Sequence, residues 1–425
     1  MRNESAAITP ADDLRHSRQA LSRIGTRRVN QAAVASGRVA SVGAGVLGST
    51  AVLAAAPCGV SVDIFDRDLV TVDTLGKSVA FHPSDVGTPK ARSLARRARQ
   101  LDGSLRTRGF VADALYTVGS GIWERYDVLW LNTDNLRSRV ELSSIALRLP
   151  AGPRTVIEAG LTGFDWSVQV MGPHCVACGL DDQTPLDLAQ SCNGITLDVD
   201  GAVMPTTLPA ALGASGIIVQ ETLLSLSGQE PVFRGREVRA DMTAHRALAV
   251  FDVSPRSSCR QHLRLSESDV LRMPWRTDST VGRVRSTVAQ RLGLRPGDVA
   301  LAAPREILAA VRCLDCGTSY QPRAYTALFA ASVCRTCGNL RRKARGCDCG
   351  EGPAPGPVWP SRRLECPGCG LLDPNGFELR VETLLDDDSL TLRHTGLPTF
   401  EMIRAIAGGR EWPLLPSLPH GSRAM

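Results

Sequence analysis

The stretch that decides the fold reads RVASVGAGVLGST (residues 38–50), VSVDIFDRDLV (60–70), SDVGTPKA (84–91) and YDVLWLNTDN (126–135). The first segment begins with an apolar run that predicts a β-strand, followed by glycines spaced G-x-G-x-x-G and an apolar run that predicts a helix. The second segment predicts another strand, which ends on an acidic residue 18 positions beyond the last glycine. This order is typical of a βαβ unit that binds a nucleotide.

The glycines and the acid each have an expected role. Gly43, Gly45 and Gly48 would let the backbone approach phosphate groups at the N-terminus of the helix, and Asp66 would accept a hydrogen bond from a ribose hydroxyl. Two alternatives stay open at this point. The glycines could serve only the packing of helix on strand, and Asp66 could bind the ribose of NAD or cap the strand end.

Composition bounds the class of protein. A chain of 425 residues, 43% hydrophobic and 22% charged, suits a globular protein of two or three domains. The net charge of +6 is spread along the chain, so we expect no nucleic-acid binding. Lys77, Lys90 and Lys343 are the only lysines among 49 basic residues, and two of them lie in the nucleotide stretch. A compact ammonium group is therefore expected to matter there.

The sequence gives no sign of a membrane segment. The N-terminus is polar and lacks the apolar core of a signal peptide, and the uncharged run Val39–Val62 is broken by four glycines and a proline. We expect a cytoplasmic location. In that reducing compartment thirteen cysteines, mostly in C-x-x-C pairs, favour zinc over disulfides.

The next two segments supply further charged groups. Thr88–Gln100 is expected to be a helix with Lys90 in its first turn, and Tyr126–Leu131 a buried strand that leads to Asp134. Because ligands gather at the carboxyl ends of strands in open α/β sheets, Asp66 and Asp134 should face one crevice. As alternatives, Lys90 could be a solvated helix lysine and Asp134 the N-cap of the following helix.

Together these motifs resemble the ThiF/MoeB/HesA family of adenylyltransferases, relatives of the ubiquitin-activating enzymes. The resemblance covers roughly residues 12–265. The matching motifs occur in the family's order and are Arg15-His16-Ser17-Arg18-Gln19, Asp66-Arg67-Asp68-Leu69-Val70, Asp85-Val86-Gly87-Thr88-Pro89-Lys90-Ala91, and Asp134-Asn135 with Arg139.

The resemblance implies a Rossmann-like, doubly wound α/β sheet and ATP-dependent adenylation of a carboxylate, giving acyl-AMP and pyrophosphate. The carboxylate would be the C-terminus of a small ubiquitin-like or sulfur-carrier protein or a peptide precursor. Lys90 and Lys77 would neutralise phosphate charge and Asp134 would carry Mg²⁺. Asp68 and Asn135 belong to the nucleotide-binding motifs. Arg18 would reach the ATP of another subunit, which implies a homodimer.

Two residues depart from the family pattern. Lys77 replaces an arginine that contacts phosphate, and Thr74 replaces an asparagine; the lysine keeps the charge but loses the bidentate fork. Lys77 and Arg18 could also be ordinary surface charges. An alternative function is therefore a catalytically weakened scaffold that binds a peptide or carrier for a partner enzyme. An NAD oxidoreductase would explain the glycines and Asp66 but leaves Lys90 and Asp134 without a role.

One zinc site is predicted from two half-sites. Cys175-x-x-Cys178 and Cys259-x-x-His262 together supply a Cys₃His ligand set. The alternative is a reduced cysteine pair with His262 facing solvent. Cys192 follows the first half-site, near the position where some family members carry a thiol that accepts the acyl group, and it could equally be a plain loop cysteine.

Eight more cysteines between residues 313 and 369 predict a zinc-ribbon module with two Cys₄ sites. Their spacing permits sequential or nested pairing. The ligands are Cys313, Cys316, Cys334, Cys337, Cys347, Cys349, Cys366 and Cys369.

We therefore predict four segments. Residues 1–265 form the ATP-binding domain, 266–311 a linker with a small helix–strand unit, 312–375 the zinc-ribbon module, and 376–425 a helix at Thr399–Ile406 with a tail. Within the linker, Val281–Leu292 is expected to be helical and Glu306–Val311 extended.

Overall fold

The computed structural model describes residues 15–24, 26–180, 205–241, 246–275, 278–325, 368–369 and 377–417. The chain divides into two compact units. Unit 1 comprises Met1–Ala112 with Trp123–Arg264, and unit 2 comprises Asp113–Ile122 with Leu265–Met425. A short segment between two strands of the nucleotide stretch thus belongs to unit 2, which the sequence patterns did not indicate.

Unit 1 is built from seven α-helices and ten strands among its described residues. The helices are α1 (Ser17–Leu21), α2 (Gln31–Ser36), α3 (Val46–Ala55), α4 (Val72–Leu75), α5 (Lys90–Leu101), α6 (Leu136–Arg148) and α7 (Leu208–Leu226). The strands are β1 (Arg23–Ile24), β2 (Arg27–Arg28), β3 (Val39–Val42), β4 (Val62–Asp66), β5 (Arg108–Val111), β6 (Val128–Leu131), β7 (Thr155–Thr162), β8 (Asp165–Val170), β9 (Arg236–Asp241) and β10 (Arg246–Asp252).

Eight of these strands form one sheet in the order β10-β9-β8-β7-β6-β3-β4-β5. The pairs from β5 to β7 are parallel, and those from β7 to β10 are antiparallel. All four residues of β3 and of β6 are buried, as expected for strands with helices on both faces. The doubly wound α/β fold is confirmed, and the carboxyl ends of β4, β3 and β6 meet at one edge.

The predicted elements of unit 1 are found with small shifts of boundary. The strand expected at residues 60–65 is β4, the helix expected at residues 88–100 is α5, and the strand expected at residues 126–131 is β6. By length and composition α7 could cross a membrane, but 56% of its apolar window is buried inside unit 1. Its buried residues join the same apolar core as those of α3 and β4, which accounts for its hydropathy.

Unit 2 contains one α-helix and a seven-stranded sheet among its described residues. Its elements are β11 (Leu271–Met273), α8 (Val281–Leu292), β12 (Ala300–Cys313), β13 (Ser319–Tyr320), β14 (Ala324–Tyr325), β15 (Phe377–Leu384), β16 (Ile403–Ala407) and β17 (Arg410–Pro416). The sheet is organised around β12, which pairs with β13, β14, β15 and β16. The predicted helix at Val281–Leu292 is confirmed.

Two expectations for the C-terminal half are wrong. The helix expected at Thr399–Ile406 is replaced by a hairpin of β16 and β17, because alternate residues of β16 are buried and Gly408 and Gly409 take positive φ in the turn. The segments expected to be separate at residues 311/312 share one continuous strand, β12, which crosses that boundary.

Candidate functional site

The three glycines after β3 have different tasks. A Cβ at Gly43, where φ is +99°, would lie 2.5 Å from the backbone oxygen of Asn132, and one at Gly48 would lie 2.0 Å from the backbone oxygen of Gly43. These two glycines are therefore required by close packing. A Cβ at Gly45 would meet nothing within 4 Å, and Gly45 begins α3 without a side-chain cap. The open space beside Gly45, at a helix N-terminus, is where an anion would lie.

The Asp66 carboxylate is fixed beside this glycine turn. It accepts hydrogen bonds from the backbone N–H groups of Ala44 (2.6 Å) and Asp68 (2.7 Å). Burial, together with the nearby negative charge of Asp68, raises the pKa of Asp66 to about 6, although Lys90 and the two backbone donors oppose the shift. Asp66 is thus a preoriented acceptor that is ionised at neutral pH.

Lys90 is the cation of the site. It begins α5, and its Nζ lies 3.3 Å from a carboxylate oxygen of Asp68, with 16% of the side chain exposed. Burial opposes its charge, but the carboxylates of Asp68, Asp66 and Asp134 outweigh burial and raise the pKa of Lys90. The structure therefore brings Lys90, Asp66, Asp68 and Asp134 into one electrostatic cluster, and the solvated-lysine alternative is wrong.

Asp134 is exposed in the loop after β6, and it is not the cap of α6. That role belongs to Asn135, whose side-chain oxygen accepts from the N–H of Ser138 at 2.7 Å. The helix-cap alternative for Asp134 is thus excluded, and the exposed carboxylate suits a divalent cation. Because the side-chain oxygen of Asn135 caps α6, the predicted contact of Asn135 with the nucleotide would use its side-chain NH₂ group.

A buried ion pair supports the Asp134 loop. Arg139 donates through Nε to the carbonyl of Thr133 (2.7 Å) and pairs with Glu158 of β7 (2.9 Å), and both side chains are about nine-tenths buried. Burial raises the pKa of Glu158 while Arg139 lowers it. Glu158 was not predicted as a site residue, although a single acid inside the apolar run at residues 155–161 was the available signal.

The two departures from the family pattern lie next to the cluster. The Thr74 side chain is buried and bonds Thr71 at the start of α4. The Lys77 Nζ lies 3.1 Å from Asp73. The pKa of Asp73 is lowered mainly by the Thr71 hydroxyl, with contributions from Lys77 and Lys90. Lys77 thus pairs with Asp73, whose carboxylate is also within electrostatic reach of Lys90.

Arg18 lies elsewhere in its own chain. It is exposed on α1, and the neighbouring Gln19 donates to the carbonyl of Cys58 at 3.0 Å. Cys58 follows the C-terminal end of α3, whereas Gly45 begins that helix. Ten helical residues separate the two ends by about 15 Å. The structure therefore does not bring Arg18 to the Gly45 turn of the same chain.

The predicted Cys₃His ligand set is assembled in unit 1. The ligand atoms of Cys175, Cys178, Cys259 and His262 all lie within 4.8 Å of one another. The Sγ atoms of Cys175 and Cys259 are 3.7 Å apart, and the Sγ of Cys178 is 3.3 Å from the Nδ1 of His262. Three soft sulfurs and an imidazole suit tetrahedral Zn²⁺, and the closed set, with two members buried, indicates a structural site.

Replacing Cys259 with serine is expected to remove one equivalent of zinc per chain and to lower the melting temperature, because metal binding contributes to the stability of the fold. Metal analysis by mass spectrometry and a thermal scan measure both effects. Cys58→Ala is the matched control, since the Cys58 Sγ bonds only the carbonyl of Ala54 among the described contacts. Unchanged zinc in the Cys259 variant would contradict the assignment.

Of the C-terminal cysteines, the structure brings together Cys313, Cys316 and Cys369. The other five, Cys334, Cys337, Cys347, Cys349 and Cys366, lie outside the described residues, as does Cys192. Their predicted roles stay predictions.

A glycine turn, a fixed carboxylate acceptor and a partly buried lysine at the carboxyl edge of a parallel sheet define a nucleotide-binding α/β protein. The model of the ThiF family matches residues 16–261, so this chain belongs to the ThiF family.

Named relatives agree with the family. The chain is 28% identical over 194 residues to adenylyltransferase and sulfurtransferase MOCS3 of Arabidopsis thaliana, covering 44% of this chain and 39% of the relative. It is 29% identical over 161 residues to adenylyltransferase and sulfurtransferase UBA4 of Vanderwaltozyma polyspora, covering 36% of each. The chain thus spans well under half the length of these relatives.

Solved structures with a similar arrangement include MccB of E. coli with ATP, at a TM-score of 0.45 and 15% identity over 55% of this chain and 68% of that one. PaaA gives a TM-score of 0.45 and 17% identity over 60% of this chain and 77% of that one.

Proposed function

We propose that this chain uses ATP to adenylate the C-terminal carboxylate of a small ubiquitin-like or sulfur-carrier protein or of a peptide precursor. Membership of the ThiF family supports ATP use. The relatives named as adenylyltransferases support the reaction type. No observation favours the alternative of a weakened scaffold.

The observation that carries the proposal is the placement of Lys90. A partly buried ammonium, paired with Asp68 and within electrostatic reach of Asp66 and Asp134, lies near the sheet edge where the open Gly45 turn precedes α3. Without a ligand these carboxylates hold the lysine in place. With a triphosphate bound, the same ammonium would neutralise charge on the phosphate oxygens.

The proposed step is a displacement at phosphorus. A carboxylate oxygen of the substrate attacks the α-phosphorus of ATP, and the bond from that phosphorus to the bridging oxygen breaks. Pyrophosphate leaves with the electron pair, and acyl-AMP remains. The protein's part is positioning and charge stabilisation: Asp66 would hold the ribose, the N-terminus of α3 and Lys90 the phosphates, and Lys77 would add charge.

Asp134 is the residue we propose for Mg²⁺. Its carboxylate is exposed, is not used as a helix cap, and lies within electrostatic reach of Lys90. Mg²⁺ usually binds one or two carboxylates together with substrate phosphates, and it would neutralise charge on them. The Arg139–Glu158 pair would hold the Asp134 loop through the carbonyl of Thr133.

We further propose a homodimer in which Arg18 serves the partner's site. The segment that carries Arg18 is fixed at the end of α3 opposite Gly45, so Arg18 cannot reach its own chain's glycine turn from this position. Mixing Arg18→Ala chains with Lys90→Ala chains tests this directly, because a mixed dimer would keep one intact site and recover part of the activity.

The experiment that tests the function is ATP–pyrophosphate exchange with a panel of probes. The probes are carrier proteins ending in Gly-Gly and short synthetic peptides, each with a free C-terminal carboxylate. Matched controls carry an amidated C-terminus. Exchange that depends on the free carboxylate is expected; exchange with no member of the panel would favour the scaffold alternative.

Nucleotide affinity is expected to fall as the pH drops through about 6. Burial raises the pKa of Asp66 to about 6. Without a ligand, the stability of the fold therefore decreases as the pH rises from about 4 to 6, because the unfolded chain ionises this carboxyl first. The ionised carboxylate is nevertheless the better acceptor for a ribose hydroxyl, so nucleotide binding needs a pH above about 6. The ratio of affinities for ATP and 2′,3′-dideoxy-ATP should decrease by up to roughly tenfold between pH 7.5 and pH 5.

The dideoxy nucleotide is the control, because it carries the same phosphates and lacks the ribose hydroxyls. Titration of the phosphates therefore cancels in the ratio. A ratio that does not change with pH, in a protein that binds ATP, would show that Asp66 does not hold the ribose.

A further inference from the structure

The three cysteines of unit 2 come from opposite ends of the cysteine-rich sequence. Cys313 ends β12 and is fully buried, Cys316 lies three residues beyond it, and Cys369 belongs to the last C-x-x-C pair. The Sγ atoms of Cys313 and Cys369 are 3.8 Å apart, and all three sulfurs lie within 4.8 Å of one another. One cysteine of the last C-x-x-C pair therefore meets both cysteines of the first pair.

The backbone around Cys313 has the shape of a metal-binding turn. The N–H of Gly317 donates to the carbonyl of Cys313, and the N–H of Cys313 donates to the carbonyl of Thr318. Gly317 takes a φ of +72°, which favours glycine. This tight turn after β12 brings the sulfurs of Cys313 and Cys316 to the same side.

The last pair approaches this turn closely. A Cβ on Gly368 would lie 2.5 Å from the Thr318 hydroxyl and 3.5 Å from the Cys316 sulfur. Only glycine lets the backbone before Cys369 come so near. The antiparallel pairing of β12 with β15 extends to Cys313 and Phe377, so the sheet brings the two parts of the chain together at the same place.

We propose that Cys313, Cys316 and Cys369 are ligands of a Zn²⁺ site that joins the outermost C-x-x-C pairs of the cysteine-rich segment. Zn²⁺ is the metal that a set of thiolates in tetrahedral spacing selects. Cys366 lies outside the described residues, and we propose it as the fourth ligand only from its C-x-x-C spacing to Cys369. Under this proposal the pairing is nested, and the remaining cysteines would supply a separate inner site: Cys334, Cys337, Cys347 and Cys349.

This site is independent of the proposed adenylation. It joins Cys369 to the end of β12, and each thiolate that binds releases a proton and adds stability to that end of unit 2. Sequential pairing would instead join Cys313 and Cys316 to Cys334 and Cys337, which the meeting of Cys313 with Cys369 disfavours.

The number of zinc ions per full-length chain distinguishes the two pairings. The outer variant replaces residues 313, 316, 366 and 369 by serine, and the inner variant replaces residues 334, 337, 347 and 349. Nested pairing predicts that each variant loses one zinc per chain relative to the wild type. Sequential pairing predicts that each loses two, because each variant then removes half of both sites.

The inner variant keeps the test decisive if the outer variant fails to fold. It should retain, after Co²⁺ exchange, the absorption of one tetrathiolate site in addition to the Cys₃His site of unit 1. Loss of two metals from the inner variant would overturn the nested site. So would full zinc content in both variants, or a mass two units lower that reports a Cys313–Cys369 disulfide.

Gly368→Ala tests the same site without removing a metal ligand. It should speed zinc removal by a chelator roughly tenfold or more, because the added methyl group forces the two turns apart. Gly297→Ala is the matched control in unit 2, since a Cβ there meets nothing within 4 Å and no positive φ is required. Equal rates for the two variants would argue against the close approach on which the site depends.

Discussion

Replacing Lys90 with alanine is expected to lower carboxylate-dependent ATP–pyrophosphate exchange by roughly 10²–10³-fold, the usual effect of removing one group that stabilises transition-state charge. The ammonium of Lys90 is mostly buried among the carboxylates of Asp66, Asp68 and Asp134. Its removal would leave these negative charges facing the triphosphate. Asp134→Ala should cause a loss of similar size by removing the proposed Mg²⁺ ligand.

The matched control is Arg92→Ala, which removes an exposed cation from the same helical turn of α5. It should leave exchange within about twofold of the wild type, since exposed charges contribute little. Circular dichroism and melting temperature show whether each variant is folded. Exchange that survives Lys90→Ala in a folded protein would remove Lys90 from the mechanism.

Replacing Glu401 with alanine is expected to destabilise unit 2 by about 3 kcal/mol, because buried donors would lose their acceptor. Glu401 is buried, and its carboxylate accepts from the N–H and hydroxyl of Ser120 and from the hydroxyl of Tyr325 at 2.9 Å. Burial raises the pKa of Tyr325, and the adjacent Glu401 carboxylate adds to the shift, so this hydroxyl stays a donor at neutral pH.

Hydrogen exchange localises this effect. The segment at residues 113–122 belongs to unit 2, and Arg305 also donates to the carbonyl of Leu115 within it. Its amide protons should exchange faster in Glu401→Ala and near the wild-type rate in Glu401→Gln, which keeps an acceptor oxygen. Unchanged protection in the alanine variant would show that Glu401 does not hold this segment.

The same contacts make unit 2 more than a removable extension. Truncation after Arg264 would delete Glu401, Tyr325 and Arg305 and leave residues 113–122 without the partners that hold them. A shortened chain should therefore be less stable than the full-length protein.

The nucleotide half could be predicted from the sequence because its signals are local. A fully apolar strand, glycines at fixed spacing and an acid at the next strand end each constrain neighbouring backbone, so β3, α3 and Asp66 were correctly placed. The sequence could not separate the roles of the three glycines. Gly43 packs against the backbone of Asn132, which is distant in sequence, and Gly48 packs against Gly43, whereas the space beside Gly45 is open.

Features that depend on distant pairing were missed. The Arg139–Glu158 pair joins a helix to a strand, and neither residue type predicts the other. The helix predicted at Thr399–Ile406 is wrong because a short apolar run fits either periodicity, and only the pairing of β16 with β12 selects the strand. The membership of residues 113–122 in unit 2 rests on contacts with Glu401, almost 300 residues away.

We propose that one crevice of unit 1 binds MgATP between the Gly45 turn, Lys90 and Asp134. Calorimetric titration of the full-length protein with ATP tests it without knowledge of the carboxylate substrate. We expect one ATP per chain, affinity that depends on Mg²⁺, and strongly weakened binding in Lys90→Ala but not in Arg92→Ala. Binding of NAD in place of ATP, or ATP binding unchanged by Lys90→Ala and Asp134→Ala, would contradict it.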